Sequence, residues 1–167
     1  MFELGNVVMH PSAGVCRIAD IREEKFTEKK RMYYVLNPIE EMNRSTIYVP
    51  VDTEKVQLRK LLTKEEIETV IEKATQNEIE WITNPNFRKA EYTELLHSGD
   101  LSKVIALIVC LHKQKVKLFA DGKKYPANDE RILHEAERKI YQEFSHALKI
   151  KKEEIPQYIM NKMAITI

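Results

Sequence analysis

The chain has 167 residues, 43% of them hydrophobic, and its 27 Lys and Arg against 26 Asp and Glu leave a formal net charge of +1. That length suits one or two small domains, and no apolar run approaches the roughly 18 residues that a bilayer span needs, so no membrane association is expected. A near-neutral chain has no overall pull toward nucleic acid or an anionic surface, so any such contact has to be local.

Residues 5–59 carry β patterning. Gly5, Pro11 and Gly14 punctuate the opening stretch, and Pro11 followed by Gly14 supplies first a fixed φ and then a permissive one, as tight turns require. Strands are predicted over 6–10, 14–23, 31–36, 46–49 and 55–59, from β-branched and aromatic runs bounded by turn signals. Segment 24–30 reads as an exposed hairpin tip, and Glu41-Met42-Asn43-Arg44 as the turn into the fourth strand. Five short strands are too few for a sandwich. The expected fold is a small five-stranded antiparallel β-barrel of the Tudor or SH3 type, which leaves no bare edge. Alternation points Val8, Val15, Ile18, Ile21, Tyr34, Leu36, Ile47 and Val49 inward.

After Leu61 the period becomes helical, so the class is α+β, with an all-α bundle of about five helices following the barrel and domains expected at 1–60 and 61–167. Thr63-Lys64-Glu65-Glu66 is a capping box ahead of Ile67, Val70, Ile71 and Ala74. Asn84-Pro85 starts a second helix, and Gly99 suits a left-handed stop after it. Asp100 caps a third helix with the stripe Leu101, Val104, Ile105, Ile108 and Leu111. A loop over 119–127 leads to a fourth, with Leu133, Ala136, Ile140 and Phe144 on one side, and a short last helix spans about 153–162 with Pro156 in its first turn.

Catalytic patterns are missing. None of the four glycines falls in a phosphate-cradling frame, and the five histidines lack metal-ligand spacing. The two cysteines, Cys16 and Cys110, sit in segments of different type and are expected as buried thiols. The N-terminal Met-Phe-Glu-Leu-Gly has no basic region leading into an apolar core, so no signal peptide is expected and a cytoplasmic location is. No enzyme activity, metal, cofactor or small-molecule substrate is therefore expected. Charge is uneven along the chain: Lys113, Lys115, Lys117, Lys123 and Lys124 cluster around a single acid, Asp121. Such a patch permits phosphate contacts, and equally suits a solvated helix end.

The order Leu-Gly-x-x-Val-x-x-Pro-x-x-Gly over 4–14, then Tyr34-Val35-Leu36 and Val49-Pro50, resembles the RNA-polymerase-interacting domain of the CarD-like bacterial transcription factors. The transcription-repair coupling factor shares that module but would continue into a helicase motor. Here Arg88, Leu95-Leu96-His97-Ser98-Gly99-Asp100, the run from Val104 to Leu111, and Ala136 to Phe144 are instead similar to the CarD-like helical domain. The resemblance implies a bridge: the barrel docks on the polymerase β subunit, and the helical domain contacts promoter DNA at the upstream edge of the melted bubble. The open complex is thereby stabilised, and the protein is expected to be a monomer.

Carried over residue by residue, the resemblance places Val35, Tyr48 and Pro50 at polymerase. For Val35 the competing placement is the barrel core, and for Pro50 a strand terminator. On the DNA side stand Trp81, Arg88, Lys89, Lys123, Lys124 and Arg131. Cations near helix starts oppose the helix dipole, which favours a partner for them. Trp81 is either a wedge against unpaired bases or packing between helices. It lies seven residues before Arg88, where family members carry the tryptophan three before, a place taken here by Pro85. A protein-interaction adaptor without DNA contact is the alternative reading.

Overall fold

In the computed structural model, which describes residues 1–40 and 45–166, the change of period after Leu61 is a change of structural unit. Unit Met1–Leu61 is built of strands and unit Leu62–Ile167 of helices. The turn expected at 41–44 lies outside the described residues.

Strands β1 (Val7–His10), β2 (Gly14–Glu24), β3 (Arg31–Pro38), β4 (Ile47–Pro50) and β5 (Arg59–Lys60) form one antiparallel sheet in the order β4-β3-β2-β1-β5. No pairing joins β4 to β5 among the described residues, so the ladder is open and the core is covered by chain rather than by hydrogen-bonded closure. Val8, Cys16, Ile18, Tyr34, Leu36 and Val49 make that core, with Phe2, Val51, Val56 and Leu58 packed on it. A register shift between Ile18 and Asp20 inserts one extra residue into β2. This bulge is what lets Ile18 and Ile21, three apart, face the same side.

Two expectations are corrected here. Val15 is fully buried but pairs with Met9 on the opposite face, and Cys16 takes the core position. Strict alternation forbids Val15 and Ile18 from sharing a face without a bulge between them. The fifth strand is shorter and later than 55–59, only Arg59 and Lys60 pairing with Met9 and Val8. Upstream, the Thr53 hydroxyl accepts from the Lys55 amide at 3.1 Å, a local bond that competes with the ladder.

The helical unit contains α1 (Lys64–Gln76), α2 (Pro85–Leu96), α3 (Leu101–Ala120), α4 (Ala127–Leu148), a 3-10 turn at Lys152–Glu154, and α5 (Ile155–Met163). The Thr63 capping box is complete, with the Glu66 amide 3.2 Å from Thr63 Oγ1 and the Thr63 amide 2.8 Å from Glu66 Oε2. Asp100 Oδ1 accepts from Ser102 and Lys103, and the Ser102 hydroxyl bond holds this carboxyl below its ordinary range. Gly99 takes φ +77°, ending the connection from α2 in a conformation that other residues resist. Helix α3 buries Val104, Ile105, Leu107, Ile108 and Leu111, and packs against α1, α2 and α4 as the central element. Each such side chain contributes roughly 1.5–3 kcal/mol relative to exposure.

The β1–β2 turn depends on a neutral imidazole. His10 Nδ1 accepts from the amides of Ser12 at 3.2 Å and Ala13 at 3.0 Å, and burial lowers the pKa of the ring from its ordinary 6.5. Folding therefore disfavours the imidazolium: this stability is present above pH 6.5 and is lost as pH falls through the folded-state value. His10→Asn keeps an acceptor without the titration. Urea melts from about pH 8 to about pH 5 should show the wild type losing stability relative to this variant; parallel profiles would disprove the role of the ring.

Candidate functional site

The sheet has a second face, opposite its core. Register pairs Val35 with Tyr48 and Tyr33 with Pro50, so these four side chains project together while Tyr34, Leu36, Ile47 and Val49 project into the core. Val35 is thus not part of the barrel core, although it is well covered at 5% exposed. Phe26, from the segment between β2 and β3, meets Tyr33 and Tyr48 edge-on, with centroids at 5.1 and 4.9 Å. Arg22 Nη2 donates to the Tyr48 hydroxyl at 3.1 Å, while its Nε and Nη1 bond Glu24 and Asp20. The result is an aromatic cluster with a hydrogen-bonding rim: Phe26 is exposed, Tyr48 and Pro50 are half-buried, and Tyr33, like Val35, is buried. Aromatic groups of this kind are the type that interface anchors favour. Phe26 and Tyr33 are absent from the sequence-predicted set because Phe26 lies in a charged hairpin tip and Tyr33 reads as ordinary strand.

In the helical unit the irregular segment 77–84, between α1 and α2, is held by two side chains of α2. The Tyr92 hydroxyl donates to the Glu80 carbonyl at 2.8 Å and accepts from the Ile82 amide at 3.2 Å, and burial pushes its pKa up. Arg88 Nη1 donates to the carbonyls of Ile82 and Thr83 at 2.8 and 3.3 Å. Its Nε and Nη2 grip the two oxygens of Asp129, in the first turn of α4, at 3.0 and 2.8 Å. Both partners are buried, with side chains only 6% and 1% exposed. Arg88 is expected at a phosphate; here the guanidinium is enclosed, and its Nε, Nη1 and Nη2 all donate to protein oxygens. The stripe Arg88, Tyr92, Leu96, each four residues apart and all buried, is the sequence signal that could have placed Arg88 inward.

Trp81 belongs to the same construction. The Arg88 Cζ lies 4.1 Å from the indole centroid, the Tyr92 ring centroid 6.3 Å away, and the indole packs on the helical core. A cleft of about 480 Å³ runs beside it, lined among others by Ile79, Cys110, Lys113, Lys117 and Met163. Cys110 is a free, buried thiol whose pKa burial raises, the state of an inert packing group.

The remaining sequence-predicted cations are exposed. Lys89 follows Arg88 on α2, Lys123 and Lys124 lie in the loop before α4, and Arg131 is on its first turns with Nη2 3.3 Å from Asn128 Oδ1. The Arg88–Asp129 pair draws the starts of α2 and α4 together, and with them the elements carrying these cations. The lysine cluster itself is divided: Lys113 and Lys117 face the cleft, whereas Lys115 pairs with Glu130 at 2.9 Å. Among the described residues no group of three His, Cys, Asp or Glu side chains is placed to hold a metal ion, and no helix is long and apolar enough to cross a membrane.

Residues 2–62 match the model of the CarD-like/TRCF RID domain, and residues 63–160 that of the CarD C-terminal domain. The chain belongs to the CarD family. CarD-like proteins are non-enzymatic transcription factors that interact with RNA polymerase, and both halves of that architecture are present here in order. No curated protein is similar enough to the chain to be matched to it.

Because the Arg88–Asp129 pair is buried, removing one member strands the other. Arg88→Ala should destabilise the helical unit by about 3–5 kcal/mol, read from urea unfolding. It should also shift the emission of Trp81, the sole tryptophan. Arg88→Met combined with Asp129→Leu should recover much of the loss. Wild-type unfolding of Arg88→Ala would show that the pair holds nothing together.

Proposed function

We propose that this CarD-family protein bridges polymerase and promoter DNA: the sheet docks on the β subunit of RNA polymerase, and the helical unit contacts DNA at the upstream edge of the bubble. The polymerase side is Val35, Tyr48 and Pro50, extended by Tyr33 and Phe26. The observation that carries this assignment is the cross-strand register, which gathers Tyr33, Val35, Tyr48 and Pro50 on the face opposite the core, where Phe26 joins them by ring contacts. The DNA side is the exposed set Lys89, Lys123, Lys124 and Arg131, with Arg88 and Trp81 as the brace beneath it. Phosphate contacts from a near-neutral protein position it without reading sequence, so specificity comes from the polymerase and the shape of the melted junction. Stabilisation of the open complex follows if both contacts are made together only in that state, since a ligand shifts an equilibrium by its differential affinity.

Tyr48→Glu should weaken binding to the isolated β subunit about tenfold or more, as loss of an aromatic anchor does, and leave binding to a forked promoter duplex intact. Lys89→Glu with Lys124→Glu should do the reverse, and should flatten the decline of DNA affinity with salt. If the lysine variants bind the fork like wild type, the adaptor reading replaces the bridge. If Tyr48→Glu keeps full affinity for the β subunit, docking uses another face.

A further inference from the structure

A melted junction exposes the faces of unpaired bases, and proteins that hold such junctions stack apolar side chains on them. Trp81 is badly placed to do so. Its indole carries the Arg88 guanidinium at 4.1 Å and lies on the helical core, so presenting it to a base would break that stack and uncover the apolar surface beneath. Phe87 is the opposite case. Its side chain is 56% exposed, a large apolar group left in solvent on the first turn of α2.

The backbone under Phe87 is tied down by hydrogen bonds. Its amide donates to Asn84 Oδ1 at 3.0 Å, and the next residue, Arg88, pins the same turn to Asp129. A stacking group gains most when its mount is already ordered, because little freedom remains to be lost. The charge at the two helix starts is mainly positive, although Glu91 follows Phe87 one turn on in α2. Helix α2 has no acid in its first turn, while the two acids in the first turn of α4 are neutralised, Asp129 by Arg88 and Glu130 by Lys115. Lys89, Lys123, Lys124 and Arg131 are left exposed on the elements that the buried pair draws together.

We propose that Phe87 is the wedge that stacks on unpaired bases at the promoter junction, that the four cations hold the flanking phosphates, and that Trp81 is an internal brace. This rests on the DNA-binding reading above. It moves the base contact onto a residue that nothing in the resemblance points to.

The test compares binding of the full chain to a forked promoter duplex and to a fully paired duplex of the same sequence. Phe87→Ala should lower fork affinity about 5- to 150-fold, the range for losing one base–aromatic stack, with paired-duplex affinity and Trp81 emission unchanged. Trp81→Phe should keep the fork preference. Adding Phe87→Trp to Trp81→Phe should give a tryptophan quenched by the fork and not by the paired duplex. Wild-type fork affinity in Phe87→Ala overturns the proposal. So does a Phe87→Ala chain that keeps fork affinity but loses polymerase, which would make the phenyl a protein contact. A wild-type chain that binds neither DNA removes the DNA-binding reading as well, whereas an unchanged Phe87→Ala beside a binding wild type removes only the wedge.

Discussion

A guanidinium and a carboxylate taken out of water each lose several kcal/mol of hydration, and only close geometry with further hydrogen bonds returns it. Arg88 and Asp129 meet that condition, with paired contacts at 3.0 and 2.8 Å and the third nitrogen turned to the carbonyls of Ile82 and Thr83. One side chain thereby fixes three pieces of chain: the start of α2, the start of α4 and the irregular segment before α2. Tyr92, one turn on, satisfies the backbone of that segment from the same side. Without these two residues the carbonyls of Glu80, Ile82 and Thr83 and the Ile82 amide would lose these protein partners. The exposed cations and Phe87 inherit their positions from this arrangement, so a buried pair sets the geometry of the surface proposed to meet DNA.

The β unit works by division of faces. Its bulge and register send one set of side chains into the core and another, rich in aromatics, to the opposite face. Aromatic anchors suit a partner that must be held whatever promoter is being opened, because their contribution is area and shape rather than charge. Phosphate contacts, by contrast, are long-ranged and screened by salt. On the proposed reading, one anchor of each kind lets the protein stabilise one state of a complex over another.

Much of this architecture was legible in the sequence, and for local reasons. The Thr63 capping box, Asn84 before Pro85, Asp100, and the left-handed Gly99 each act within a few residues, so their spacing carries the information. The β runs were equally plain. Val15 and Ile18 are three apart with no bulge between them, so strict period two puts them on opposite faces and gives the core position to Cys16. The burial of Arg88 is not legible, because a cation at a helix start reads as surface charge and its partner Asp129 lies 41 residues on. No pattern in one sequence joins those positions. Phe87 went unnoticed since a phenyl in a helix reads as core. Its exposure emerges only when Arg88, Tyr92 and Leu96 are seen to occupy the buried side.

Whether the two units act as one device is decided by the lifetime of the open complex at a single promoter, measured after challenge with competitor DNA. Bridging predicts that the full chain lengthens that lifetime. It further predicts that Tyr48→Glu and Lys89→Glu with Lys124→Glu each abolish the gain, since either contact alone leaves the open state no better held than the closed one. An unchanged lifetime with the wild-type chain, at concentrations that saturate polymerase, would contradict the bridge.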